Sequence, residues 1–104
     1  MIARGDVFDA EFPSLGVRPA VIVTRESAIP VLSAVTTVPV TSTIRGHPAE
    51  VVLNTESGLD HESAANCDNV QTVEKTRLLR HRGRLGPEQM LRLDDALRIA
   101  LQLD

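Results

Sequence analysis

Aromatic side chains are almost missing from this chain: Phe8 and Phe12 are the only two, with no tryptophan or tyrosine. That scarcity argues against a nucleic-acid module that stacks bases on aromatic platforms. Cysteine is limited to Cys67; a single thiol excludes a disulfide framework within the chain and fits a reducing, cytoplasmic setting. Long apolar runs are also absent, the longest being of strand size, such as "AVIV", so no segment is expected to span a bilayer. The opening "MIARGDVFDAEF" carries charge where a signal peptide needs an apolar core. Excess positive charge is lacking too, the net charge being −3, which speaks against non-specific coating of nucleic acid. Lysine is reduced to Lys75, the other ten of the eleven basic residues being arginine. Arginine offers a planar fork suited to phosphate and carboxylate, although GC-rich coding yields the same bias.

What remains is an ordinary globular composition, 42 % hydrophobic and 24 % charged. Residues 1–104 are read as a single domain able to bury roughly two thirds of its unfolded surface. "RGDVFDAEF", "RPAVIVTR", "PVLSAVTTVPVTS", "AEVVL", "DNVQTV" and "LLRHRGRL" read as six strands, the third bent or bulged at Pro39. "VPVTSTIRGHPAEVVL" is expected to be a hairpin with a polar corner, and "NTESGLDHESAANC" a polar loop. "GPEQMLRLDDALRIALQL" carries a helix-entry Gly-Pro and an apolar face of Met90, Leu93, Leu97, Ala100 and Leu101. The fold class is therefore mainly β: a small, strongly bent sheet or barrel closed by a C-terminal helix.

No metal chemistry is expected. His47, His61 and His81 each stand alone, and Cys67 has no partner at a ligand spacing. Three other features are open to two readings each. Arg18 stands at a turn-to-strand junction before Pro19, placed either for a surface pair or to present its fork to a phosphate. Thr41, Ser42, Thr43 and Arg45 surround an anion or simply satisfy a turn. Arg80, Arg82 and Arg84 fall on one face at strand spacing, as a solvated edge or as a basic stripe for an acidic partner or RNA backbone.

In order along the chain, "RGDVFDAEF", "GVRPAVIVT", "VPVTSTIRGHPAEVVL", "GLDHESAANCDNVQTVEKTRLL" and "GRLGPEQMLRLDDALRIALQL" resemble the MazF/PemK family of bacterial toxin endoribonucleases. The resemblance covers essentially the whole chain. It implies an SH3-like β-barrel with a C-terminal helix, a homodimer, sequence-selective cleavage of single-stranded RNA, and neutralisation by a MazE-like antitoxin with an acidic tail. Operator DNA would be reached only through that antitoxin. Family catalysis maps onto Arg18 and Thr41, with Ser42, Thr43, Arg45 and His47 as RNA contacts beside them and Arg80, Arg82 and Arg84 binding RNA or antitoxin. The implied reaction needs no cofactor: the RNA's 2′-hydroxyl attacks the adjacent phosphate, leaving a 2′,3′-cyclic phosphate and a 5′-hydroxyl. Arginine titrates above about 12 and is a poor general base, so His47 is a conceivable helper. The segment "FPSLG" is shorter than the loop many relatives carry before the Arg-Pro motif, which leaves the site either more open or more dependent on the polar loop at residues 54 to 67. The alternatives are a gyrase poison of the CcdB type, disfavoured because that toxin relies on a terminal Trp-Gly-Ile absent here, and a non-catalytic module that only binds antitoxin or RNA.

Overall fold

Alternation along the first two strands decides which side chains face which half of the interior. The computed structural model describes residues 1–104. Strand β1 (Asp6–Phe12) forms a hairpin with β2 (Gly16–Ile22), Val7 opposite Val21 and Phe8 opposite Ala20. Opposed residues share a face. Val7, Val21 and their next neighbour Val38 therefore enter one core with Leu53, Leu93 and Ala96. Ala10, Ala20 and Ile22 enter a second core with Phe12, Ile29, Val35 and Val73. Both faces of the sheet are thus covered.

The remaining elements are β3 (Ala34–Thr41), β4 (Glu50–Leu53), β5 (Ser63–Asn66), β6 (Gln71–Glu74), β7 (Leu78–Arg84) and α1 (Pro87–Leu101). All pairings are antiparallel, in the order β4-β5-β3-β2-β1-β7, with β6 added to the first half of β3. The expected class holds: mainly antiparallel β, broadly SH3-like, with a C-terminal helix. The sheet nevertheless stays open, because β4 and β7 are its two ends and do not pair. No helix is long and apolar enough to cross a membrane.

The bend expected at Pro39 corresponds to a change of partners. Residues 34–37 of β3 pair with β6, while Val40 and Thr41 pair with Ala65 and Ala64 of β5. The expected hairpin between β3 and β4 is not formed, because β5 lies between them, binding β3 on one side and β4 on the other. The link between β3 and β4 is too long for a tight turn, and it is pinned instead by Glu50, which accepts the N–H groups of Arg45 and Gly46 at 3.0 and 2.7 Å. Strand β5 reads as loop in the sequence because "SAAN" has no β-branched or aromatic residue. Helix α1 begins at Pro87, with the Gln89 side chain accepting the Gly86 N–H at 3.1 Å. It buries Leu93 and Ala96 and packs Met90, Leu97 and Ala100 against the core, whereas Leu101, expected inside, is 55 % exposed at the last turn.

Two internal groups set the response to pH. Burial raises the Cys67 thiol to about 12, with the Asp68 charge adding to it, so this thiol is inert at neutral pH. Burial also acts to raise the Asp6 carboxyl, but hydrogen bonds from Arg84, the Ala3 N–H and His81, together with the Arg84 charge, outweigh it and hold Asp6 below its ordinary value. A folded carboxyl that titrates below the unfolded one stabilises fully above about pH 3.9, and that contribution is lost as the pH falls through the lower folded value. Asp6→Ala, which also orphans the Ala3 N–H, is expected to lose about 1–3 kcal/mol at pH 7. In urea unfolding, the gap to the wild type should narrow as the pH drops below the carboxylate range.

Candidate active site

A cleft of about 430 Å³ opens between the ends of β2 and β3 and the loop before β5. That is within the roughly 300–1,000 Å³ of ligand pockets. Arg18 and Thr41, separated in sequence and brought from different strands, both line it, together with Ser42. The Arg18 backbone is fixed by pairing with Ala10 and by Pro19, and its Nη2 donates to the Leu15 carbonyl at 3.3 Å. Its Nε–H is buried without any hydrogen-bond partner, and no carboxylate forms an ion pair with the guanidinium. Arg82, the other arginine of the cleft, is neutralised, so Arg18 is the cation left free to attract an anion. The Thr41 hydroxyl accepts the Thr43 N–H at 3.1 Å, leaving its own hydrogen free to donate. A free guanidinium and a hydroxyl donor converging on one cleft suit a phosphate group.

Arg82 builds the far wall. Its side chain is 9 % exposed and donates to Asp9 on β1 at 3.0 Å, to Asp60 at 2.9 Å and to the Gly58 carbonyl at 3.1 Å. It can do so because β7 bulges: the register steps from Gly83 opposite Val7 to His81 opposite Phe8, leaving Arg82 unpaired and re-aimed. The bulges also break the expected single-faced stripe. Arg80 stands opposite Asp9 and Arg84 opposite Asp6, residues of opposite parity on β1, so the ends of the stripe point to different faces. Arg80 and Arg84 are 68 and 62 % exposed and lie outside the cleft, the latter bound to Asp6 at 2.8 Å.

Glycine makes the loop's approach to β7 feasible. Gly58 has φ +88°, and a Cβ there would sit 2.0 Å from the Arg82 carbonyl oxygen; one on Gly83 would sit 2.5 Å from the Ser57 carbonyl oxygen. The buried Ser57 side chain also donates to Gln89 of α1 at 3.1 Å, so residues 54–62 are fastened to both β7 and the helix.

The polar corner divides. Ser42 reaches the cleft, whereas Thr43, Arg45 and His47 do not line it. His47 lies 3.5 Å from Glu50 and 3.9 Å from Asp68, on the side of the corner facing β4 and the residues after β5, which removes it as a proton-transfer helper in the cleft. Asp9, Asp60, His61 and Ser63 line the cleft without having been singled out for it. Asp9 comes from β1, where it stands opposite Pro19 beside Arg18, whereas Asp60, His61 and Ser63 had as their only sequence signal the polarity of the segment "NTESGLDHESAANC". With β1 and β2 joined by residues 13–15 alone, this loop forms the long wall of the cleft.

Comparison with known proteins gives a consistent answer. The model of the PemK-like, MazF-like toxin of type II toxin–antitoxin systems matches residues 3–101. "Probable endoribonuclease MazF5" of Mycobacterium tuberculosis is 39 % identical over 100 residues, 95 % of this chain and 92 % of that protein. "Endoribonuclease MazF3" of the same organism is 40 % identical over 87 residues, 84 % of each chain. Among solved structures, Mycobacterium tuberculosis toxin MazF-mt6 superposes with a TM-score of 0.89 at 36 % identity, over 95 % of this chain and 98 % of that one. A mycobacterial endoribonuclease in complex with its cognate antitoxin superposes with a TM-score of 0.89 at 28 % identity, over 100 % and 98 %.

Adding a methyl group where the loop meets β7 tests the wall directly. Gly58→Ala combines left-handed strain with overlap against the Arg82 backbone, and is expected to destabilise the fold by on the order of 2 kcal/mol or more. Urea unfolding measures the loss, and amide exchange should accelerate across residues 54–62 before it does in β1 and β2.

Proposed function

The chain belongs to the PemK-like, MazF-like toxin family of type II toxin–antitoxin systems, and from that premise we propose that it is an endoribonuclease acting on single-stranded RNA in this cleft. The observation that carries the reading is the convergence of Arg18, free of any carboxylate partner, with the donor hydroxyl of Thr41. In the proposed reaction the RNA's own 2′-hydroxyl attacks the neighbouring phosphorus and the 5′-oxygen departs, giving a 2′,3′-cyclic phosphate and a 5′-hydroxyl. Arg18 neutralises the charge that grows on the non-bridging oxygens, and Thr41 donates to one of them. A pre-placed donor of this kind contributes on the order of 3 kcal/mol to the transition state. Metal is not required, because the nucleophile is intramolecular and arginine supplies the charge stabilisation.

Beyond the cleft, the proposed RNA path runs over Ser42 and the exposed corner of Thr43, Arg45 and His47, with the outward arginines Arg80 and Arg84 available to RNA or to an acidic antitoxin segment. Arg82 contributes through the wall it holds. A net charge of −3 then confines RNA to this track and repels it elsewhere. The reading includes a homodimer and a cognate antitoxin, the latter supported by the antitoxin-bound mycobacterial structure of the same fold.

The test is incubation of the purified protein with a long single-stranded RNA in excess EDTA, with the new ends mapped. Cuts at one short sequence leaving 5′-hydroxyl ends are expected, with Arg18→Ala slowed by about 10²–10³-fold. Intact RNA from a protein that still arrests growth would favour a gyrase poison or a binding-only toxin.

A further inference from the structure

Arg18 and Thr41 leave one requirement of the cleavage reaction unmet: a group that takes the proton from the attacking 2′-hydroxyl near neutral pH. A guanidinium does not release its own proton below about pH 12 and has no lone pair to offer while charged. Imidazole is the side chain suited to that task. Of the three histidines, His47 is turned to Glu50 and Asp68, and His81 stacks edge-on to Phe8 at 5.1 Å and faces Asp6. His61 alone lines the cleft with Arg18 and Thr41.

The hydrogen bonds around His61 assign its tautomer. The buried Ser63 hydroxyl donates its one hydrogen to the His61 carbonyl at 3.2 Å. Towards the ring, 3.1 Å away, the Ser63 oxygen is therefore an acceptor, and the Glu62 carbonyl, 3.3 Å away, can only accept. The carbonyl contact requires the ring proton to reside on Nδ1, and the Ser63 oxygen shares it. The neutral imidazole then carries its lone pair on Nε2, which has no protein partner. We propose that His61 is the general base of the cleft, taking the 2′-hydroxyl proton at Nε2 while Ser63 orients the ring through Nδ1–H. This rests on the nuclease reading above.

As the proton moves to Nε2, the O2′–P bond forms and the P–O5′ bond breaks. The departing O5′ keeps the electron pair and is protonated by water, and the imidazolium returns its proton to the resulting hydroxide. No oxidant, metal or net proton is consumed. The charged groups around the ring are Asp60 and, next in the chain, Glu62 on its own loop, Asp9 on β1, Arg18 on β2 and Arg82 on β7; Arg82 pairs with both Asp9 and Asp60 and offsets one of their two charges, leaving the other to favour the imidazolium that forms as the proton is taken.

The deciding experiment is single-turnover cleavage of one mapped RNA site, at saturating protein and from about pH 5 to 9, by wild type, His61→Gln and His61→Gly. The wild-type rate should rise with pH across the lower part of this range and then level off. His61→Gln should be slower by about a hundredfold or more with unchanged RNA affinity, and should lose that rising limb. Free imidazole should partly restore His61→Gly in proportion to its neutral form. A His61→Gln enzyme as fast as the wild type, or one slowed but with the same limb and no imidazole rescue, overturns the assignment. Intact RNA with the wild type at every pH refutes the nuclease reading and this inference with it, an outcome distinct from wild-type cleavage that ignores residue 61.

Discussion

Arg82 is the interaction on which the arrangement of the site depends. A guanidinium almost removed from water must be paired on every side, and here two carboxylates and a backbone carbonyl supply the pairing. Asp9 belongs to the central hairpin, whereas Asp60 and Gly58 belong to the loop before β5. One side chain therefore joins the part of the fold that carries Arg18 to the part that carries His61. The bulge in β7 is what frees Arg82 from the ladder to do this, and the two glycines let the backbones approach closely enough for it to reach. Remove any one of these and the loop loses its hold on β7, keeping only the Ser57 bond to the helix.

The division of charge follows from the same pairing. Five of the twelve cleft-lining residues are ionisable, and Arg82 engages both carboxylates, Asp9 and Asp60, offsetting one of their two charges. What is left to act on a ligand is one arginine, one imidazole and a few hydroxyls. A weakly acidic protein can in this way present a locally attractive site without a broad basic surface.

The class of fold was legible in the sequence because it rests on strong local signals. The β-branched run "RPAVIV" and the Gly-Pro entry to α1 each gave an element of the right kind, and Pro39 marked the point where β3 changes partners. Arg18, Thr41 and Ser42, singled out from the order of short motifs along the chain, line one cleft. Strand β5 was not, since "SAAN" is a strand only because β3 and β4 offer it two edges and alanines fit between them. With β5 hidden, the connection after Thr41 read as a hairpin, which put His47 beside Thr41, although it is His61 that lines the cleft. The basic stripe of β7 failed for a related reason: period-2 reasoning assumes an unbroken register, and bulges do not announce themselves in side-chain types.

The placement of β5 also bears on how the molecule comes together. Its two neighbours are β3 and β4, and the β4–β5 hairpin has to fold back so that β5 meets β3 across the whole intervening corner. Thr41 pairs with Ala64, one residue from Ser63, so the hydroxyl donor and the histidine loop become neighbours only in that step. The central hairpin can form early from local contacts, but it holds only half of the site. A nascent or partly opened chain therefore carries Arg18 without its companions. The ribonuclease reading makes the toxin harmless until the pairing of β3 with β5 is in place.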